Sequence, residues 1–142
     1  MLDIKIKLLN KDSKIPTYSH EGDACFDLYA NKSVTIYPRQ ITKVPLGIAS
    51  EIPEGYRVDI VPRSGLAQEG ISIANTPGTV DYKFRGEWCV LMYSISGNVK
   101  HIEKGDRVAQ GRLEKCVYCD FNVVEELTET DRGVGGFGST GK

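Results

Sequence analysis

Two aspartates sit where a carboxylate can do more than hold a turn. Asp81 lies in Asn75-Thr76-Pro77-Gly78-Thr79-Val80-Asp81-Tyr82-Lys83-Phe84-Arg85-Gly86, just past a Pro-Gly bend and shortly before the ring of Phe84. A carboxylate held there can orient a water molecule and take its proton. Aspartate in such a place also stabilises turns by bonding nearby backbone, and the residues alone leave both readings open. Pro77-Gly78 and the closing Gly86 predict a compact hairpin, whose backbone groups could read the edge of a flat base. Asp27 falls inside the apolar stretch Ala24-Cys25-Phe26-Asp27-Leu28-Tyr29-Ala30. It is either a buried, hydrogen-bonded group or an outer contact to a metal-bound water.

Three further segments carry groups suited to phosphate. Pro62-Arg63-Ser64-Gly65-Leu66 offers a forked cation, a hydroxyl and an unobstructed amide, with a helical turn expected over Ser64–Gln68 that Ser64 would cap. Gly105-Asp106-Arg107-Val108-Ala109-Gln110 is a turn followed by polar groups entering a strand. Alone, the first reads at least as well as a surface turn, and the second reads better as a solvated hairpin. From Arg132 the sequence runs R-G-V-G-G-F-G-S-T-G-K. A run so rich in glycine holds no fixed shape by itself, because glycine loses the most backbone entropy on ordering. Its simplest reading is a disordered tail. Arg132, Ser139, Thr140 and the exposed amide of Gly138 could nevertheless cradle phosphate, and Phe137 could stack on a base. Gly136-x-x-x-x-Gly141-Lys142 matches the start of a P-loop, but a P-loop continues with Ser or Thr between a strand and a helix, so that reading is set aside.

The elements that must position these groups read as short strands. Candidates are Asp3–Leu9, Ser33–Tyr37, Ile41–Ala49, Tyr56–Val61, Ile71–Ala74, Trp88–Ile95, Val108–Tyr118 and Phe121–Val124, separated by Pro- and Gly-containing turns. No stretch sustains helical periodicity. The expectation is an all-β fold, a sandwich, jelly roll or small barrel, in one domain over residues 1–142 with 132–142 as a flexible lid.

A net charge of −1 argues against a basic nucleic-acid-binding surface and against electrostatic attachment to membranes. The longest apolar run, Trp88 to Tyr93, is too short to span a bilayer, and the N-terminus lacks the pattern of a secretory signal. The four cysteines are therefore expected to be reduced, in the cytoplasm or, for a viral chain, the host cytoplasm. Cys116-Val117-Tyr118-Cys119 matches C-x-x-C, but no second pair or nearby His completes a zinc site.

Taken in order, Ala24–Ala30, Pro62–Leu66, Gly78–Gly86, Gly105–Gln110 and Arg132–Gly141 resemble the motifs of the homotrimeric dUTPases. The ending G-G-F-G-S-T-G is the most specific of them, and the resemblance spans nearly the whole chain. It implies a β jelly roll, a homotrimer with sites between subunits, and Mg²⁺-assisted hydrolysis of dUTP to dUMP and pyrophosphate. That activity would limit uracil incorporation into DNA and supply dUMP for dTMP synthesis. Carried onto matching positions, Asp81 would activate water for attack on the α-phosphorus, and Phe84 would lie against the deoxyribose. Asn75, Gly78 and Val80 would line the uracil pocket. Arg63, Ser64, Gly65 and Gln110 would hold phosphates, and Arg132, Gly138, Ser139 and Thr140 would close over them with Phe137 on the base. Asp27 would contact a water on Mg²⁺.

Two features depart from the pattern: Phe84 stands where the family commonly has Tyr, and Ala67-Gln68-Glu69 is a short, acidic turn. Rival readings are a dCTP deaminase, a non-catalytic jelly-roll interaction protein and a β-sandwich without ligand. The G-T-V-D segment and the intact tail weigh against all three.

Overall fold

The computed structural model describes residues 2–139. These residues form eleven strands and one short helix in succession. They are β1 (Lys5–Leu8), β2 (Phe26–Tyr29), β3 (Val34–Ile36), β4 (Ile41–Pro45), β5 (Ile48–Glu51) and β6 (Tyr56–Val61), then α1 (Ser64–Gln68). After it come β7 (Ile71–Ile73), β8 (Gly78–Asp81), β9 (Cys89–Ser94), β10 (Lys100–Ile102) and β11 (Arg107–Lys115). Among the described residues, all pairings between these strands are antiparallel. The sheets run β2-β11-β6-β8, β4-β9-β7, β1-β5 and β10-β3, so most neighbours are distant in sequence, as in a jelly roll.

The core explains the strand patterns. In β9 the buried residues alternate, with Val90, Met92 and Ser94 inward, as a strand with one wet face requires. Trp88, Leu28, Ile36, Ile48 and Val58 are fully enclosed at the centre. In β6 three consecutive residues, Val58, Asp59 and Ile60, are buried, so its outer face is covered too. A carboxylate is therefore enclosed on that face.

Several expectations are corrected. The single strand expected over Ile41–Ala49 is two, β4 and β5, broken at Gly47, whose φ is +69°. A Cβ there would also come within 2.4 Å of the Asn31 side chain, so glycine is needed for both conformation and space. Phe121–Val124 forms no strand; Phe121 and Val123 are almost wholly exposed, and a strand without a partner to bond has nothing to hold it. The helical turn at Ser64–Gln68 is present, but its N-cap residue is Arg63, which makes no side-chain capping bond, so Ser64 is not the cap. The compact hairpin expected around Pro77-Gly78 is instead an edge strand, β8, paired with β6. Strand β10 was not anticipated.

Candidate active site

Asp81 ends β8. Its neighbour Val80 is buried against the core, so Thr79 and Asp81 face the other way. The turn that follows is closed by backbone, Phe84 N–H to Asp81 C=O at 3.0 Å, and not by the Asp81 carboxylate. The turn-stabilising role is thus filled without that carboxylate, which stays available for chemistry. Arg85 donates to the carbonyls of Tyr82 (2.6 Å) and Phe84 (3.1 Å), pinning the turn from inside. A Cβ on Gly86 would lie 2.6 Å from the Phe84 ring, so the ring rests on Gly86 and leans into the cleft. Asn75, Gly78, Val80, Asp81 and Phe84 all line one cavity of about 280 Å³. Lys43, Glu87 and Cys89 line it as well and were not anticipated; they lie outside the quoted segments and carry no motif. Burial pushes the Cys89 thiol up against the opposing pull of Lys43, which disfavours a thiolate there.

Arg63, Ser64, Gly65, Gln110 and Asp27 gather in a second cavity, of about 450 Å³. Gln110 donates to the Pro62 carbonyl at 2.9 Å and fixes the loop into α1. Asp27 is the hub. It accepts from Ser19 Oγ (2.8 Å), Arg63 Nε (3.1 Å) and Arg107 Nη1 (3.2 Å), and Arg63 also donates to the Arg107 carbonyl at 3.3 Å. Burial raises the Asp27 carboxyl, but the Ser19 and Arg107 hydrogen bonds and the charges of Arg63 and Arg107 outweigh it, leaving the group below its ordinary value.

Arg107 and Ser19 are functional candidates that sequence reasoning missed. Arg107 and Gln110 are three apart and would face opposite sides of a regular strand, yet both enter this cavity. A register shift in β11 between Arg107 and Ala109 re-aims the arginine, a bulge that only strand pairing reveals. Ser19 lay in a stretch with no signal.

The two cavities are separate. Asp81 pairs with Arg57 of β6, while Gln110 of β11 pairs with Val61, at the far end of that strand. Four residues of strand and two strand spacings separate them, about 13 Å along β6 and about 10 Å across it. The Asp81 carboxylate and the Arg63–Gly65 loop of one chain therefore stand well beyond hydrogen-bond reach of a common atom.

The described part of the tail, residues 132–139, lines neither cavity. Its hydrogen bonds are local: Arg132 Nε to the Gly135 carbonyl at 3.0 Å, Gly133 N–H to Thr130, and Ser139 N–H to Gly136. Phe137 is fully exposed, next to Gly138 at φ +85°. Thr140 lies outside the described residues.

Among the described residues no three His, Cys, Asp or Glu converge into a metal-binding group, and Cys116 and Cys119 are free thiols. What the second cavity offers a cation is two carboxylates, Asp23 and Asp27, the latter beside the cationic and hydroxyl donors Arg63, Arg107 and Ser64. That donor set fits Mg²⁺ carried in by a nucleotide's phosphates with its waters retained, since Mg²⁺ of this kind needs no protein cage.

A family model described as dUTPase matches residues 11–141. The deoxyuridine 5'-triphosphate nucleotidohydrolase of Nautilia profundicola is 45% identical over 142 residues, covering 99% of this chain and all of that protein. The one from Clostridium tetani is 41% identical, covering 98% and 97%. Among solved structures, a dUTPase of Staphylococcus bacteriophage 80alpha with dUPNHPP superposes with a TM-score of 0.87 at 25% identity, covering 99% of both chains.

Proposed function

The chain belongs to the dUTPase family, and from that premise we propose how its residues divide the work of hydrolysing dUTP to dUMP and pyrophosphate. The observation that carries the reading is the Asp81 carboxylate. It ends an edge strand, free of its own turn, in the cavity that also holds Asn75, Gly78, Val80 and Phe84.

In this reading the first cavity takes the nucleoside. Backbone around Gly78, with the Asn75 amide, meets the uracil edge, and the closeness of that backbone excludes a 5-methyl group. The Phe84 ring, propped by Gly86, lies against the sugar where a ribose 2′-hydroxyl would need room. Asp81 orients a water and accepts its proton as the water attacks the α-phosphorus. Phe84 supplies this ring contact without a hydroxyl.

The second cavity takes the phosphates. Arg63, the Ser64 hydroxyl, the Gly65 amide and Gln110 spread the charge of the leaving pyrophosphate and hold it in line. Mg²⁺ bound to the phosphates would neutralise further charge. Asp27 would meet one of its waters while keeping Arg63 and Arg107 in place.

Because Asp81 and Arg63 of one chain stand far apart, each complete site draws them from different copies, which supports a homotrimer. The exposed apolar side chains of Val117, Phe121, Val123 and Leu127 support association too, since nothing among the described residues covers them. The tail then closes from a neighbouring copy, with Arg132, Ser139 and Thr140 on the distal phosphate, Gly138 offering its amide and Phe137 on the base. No helix among the described residues is long and apolar enough to cross a membrane, and we assign the enzyme to the cytoplasm, or to host cytoplasm for a viral chain.

The test is pyrophosphate release from dUTP, dTTP, dCTP and UTP, with and without Mg²⁺. Only dUTP with Mg²⁺ should turn over fast. Asp81→Asn should lower kcat by ~10²–10⁴-fold with dUTP binding largely kept, the usual share of a positioned general base. Ammonia release from dCTP, or near-parental kcat in Asp81→Asn, defeats the reading.

A further inference from the structure

The outer face of the β8-β6-β11 ladder carries two cross-strand rows of polar side chains. Strand register sets Thr79, Asp59 and Arg112 side by side, and next to them Asp81, Arg57 and Glu114. Residues directly opposite share a face with Cβ atoms about 5 Å apart. Arg57 is therefore the cation nearest to Asp81 by register. An arginine fork on a carboxylate engages both oxygens and stabilises the charged form, which makes the group a weaker acceptor for a proton from water.

Arg57 does not take that partner. Its guanidinium turns along its own strand to Asp59, with Nε at 3.0 Å from Oδ1 and Nη2 at 3.3 Å from Oδ2. Asp59 is only 2% exposed and is held in place from both flanks. Thr79 of β8 donates to Oδ1 at 3.1 Å, and Arg112 of β11 stands 3.9 Å from Oδ2, itself drawn aside by Glu114 at 2.9 Å. The bond to Asp59, and after it one to Cys116, holds the Arg57 guanidinium above its ordinary range. The remaining charged or titratable groups in the Asp81 cavity are Lys43, Glu87 and Cys89, from other elements.

We infer that Asp59 is a positioning residue for hydrolysis: it holds Arg57 away from Asp81, so that the Asp81 carboxylate stays open to water. The inference rests on Asp81 being the base. It gives a buried charge on β6 a task that the active-site residues themselves do not perform. Neither Asp59 nor Arg57 touches substrate in this scheme.

The test is a double-substitution cycle with dUTP as substrate, followed by kcat, KM and thermal unfolding. Asp59→Asn keeps the shape and the Oδ1 acceptor but removes the charge and the Oδ2 acceptor that hold the Arg57 fork, so the released cation can swing to Asp81. Its kcat should fall ~10-fold with KM little changed, the scale expected when a catalytic group is misdirected without loss of binding. Removing the released cation as well, in R57Q/D59N, should bring kcat back to within ~3-fold of the parent, because the two changes are coupled through one contact. A purely structural Asp59 would give the opposite, with the double variant as slow as the single or slower, and that result overturns the inference. So does an Asp59→Asn enzyme with parental kcat. Should Asp59→Asn fail to fold, the uncharged double variant decides alone: near-parental kcat supports the inference and a large loss overturns it. Asp81→Asn runs alongside. If it retains turnover, the assignment of the base has failed; if it is inactive while the cycle is flat, only the role of Asp59 has failed.

Discussion

Asp27 shows how a single carboxylate couples site geometry to stability. Burial alone would favour its neutral form, but Ser19, Arg107 and Arg63 favour the charged form more, and the net value falls below that of a free aspartate. A carboxyl depressed in the folded state stabilises the fold in full above its unfolded value, about 4, and loses that contribution as pH falls through the folded value. Thermal unfolding from pH 7 down to pH 2 should thus show a fall below about pH 4 that is shallower in Asp27→Asn. At neutral pH the same substitution should cost about 1–3 kcal/mol, since two guanidinium groups lose their shared acceptor. An equally steep acid limb in the variant would show that Asp27 is not the group responsible.

Elements here are set as much by where a strand must stop as by what favours it. The apolar run through β4 and β5 reads as continuous, yet Gly47 turns the chain at φ +69°, with the Asn31 and Ser13 side chains filling the space a Cβ would need. The Gly47 amide then donates to Glu87 at 3.0 Å, tying the break to the segment that leads from the Phe84 turn into β9. Gly47→Ala combines backbone strain with a clash and should lower stability by about 1–3 kcal/mol, read as a drop in Tm. Parental Tm would mean that the neighbours give way freely. The Phe121–Val124 segment makes the converse point: β-forming residues yielded no strand where the segment pairs with no other strand among the described residues.

Across the whole molecule the decisive feature is the distance between Asp81 and the Arg63 loop, to which the proposed mechanism gives the base and the phosphate contacts. If each site takes Asp81 from one copy and Arg63 from another, two inactive enzymes should complement. Asp81→Asn and Arg63→Ala chains, unfolded together and reassembled, should recover about one quarter of parental activity, the random fraction of interfaces with both intact residues. No recovery in assembled mixtures would mean that the site lies within one chain. Sedimentation gives the oligomeric state independently. Removing residues 132–142 should leave the assembled β-fold intact, because the bonds of residues 132–139 are local, yet cut turnover sharply if the lid closes the site. A truncated enzyme as fast as the parent would remove the lid from the mechanism.

The chemistry was legible in the sequence because it depends on residue type at fixed local spacing. A carboxylate after Pro-Gly, a P-R-S-G turn and a glycine-rich ending with Phe137 each need only their near neighbours to be recognised. The all-β class followed from short runs and turn residues, which are local as well. What required the tertiary structure was everything set by pairing between distant segments. The bulge that turns Arg107 beside Gln110, the existence of β10, the burial of Asp59 beneath Arg57 and the separation of Asp81 from Arg63 all depend on strand register. Register is a property of two strands together, and a one-residue slip exchanges the faces of either one, so neither strand alone encodes it.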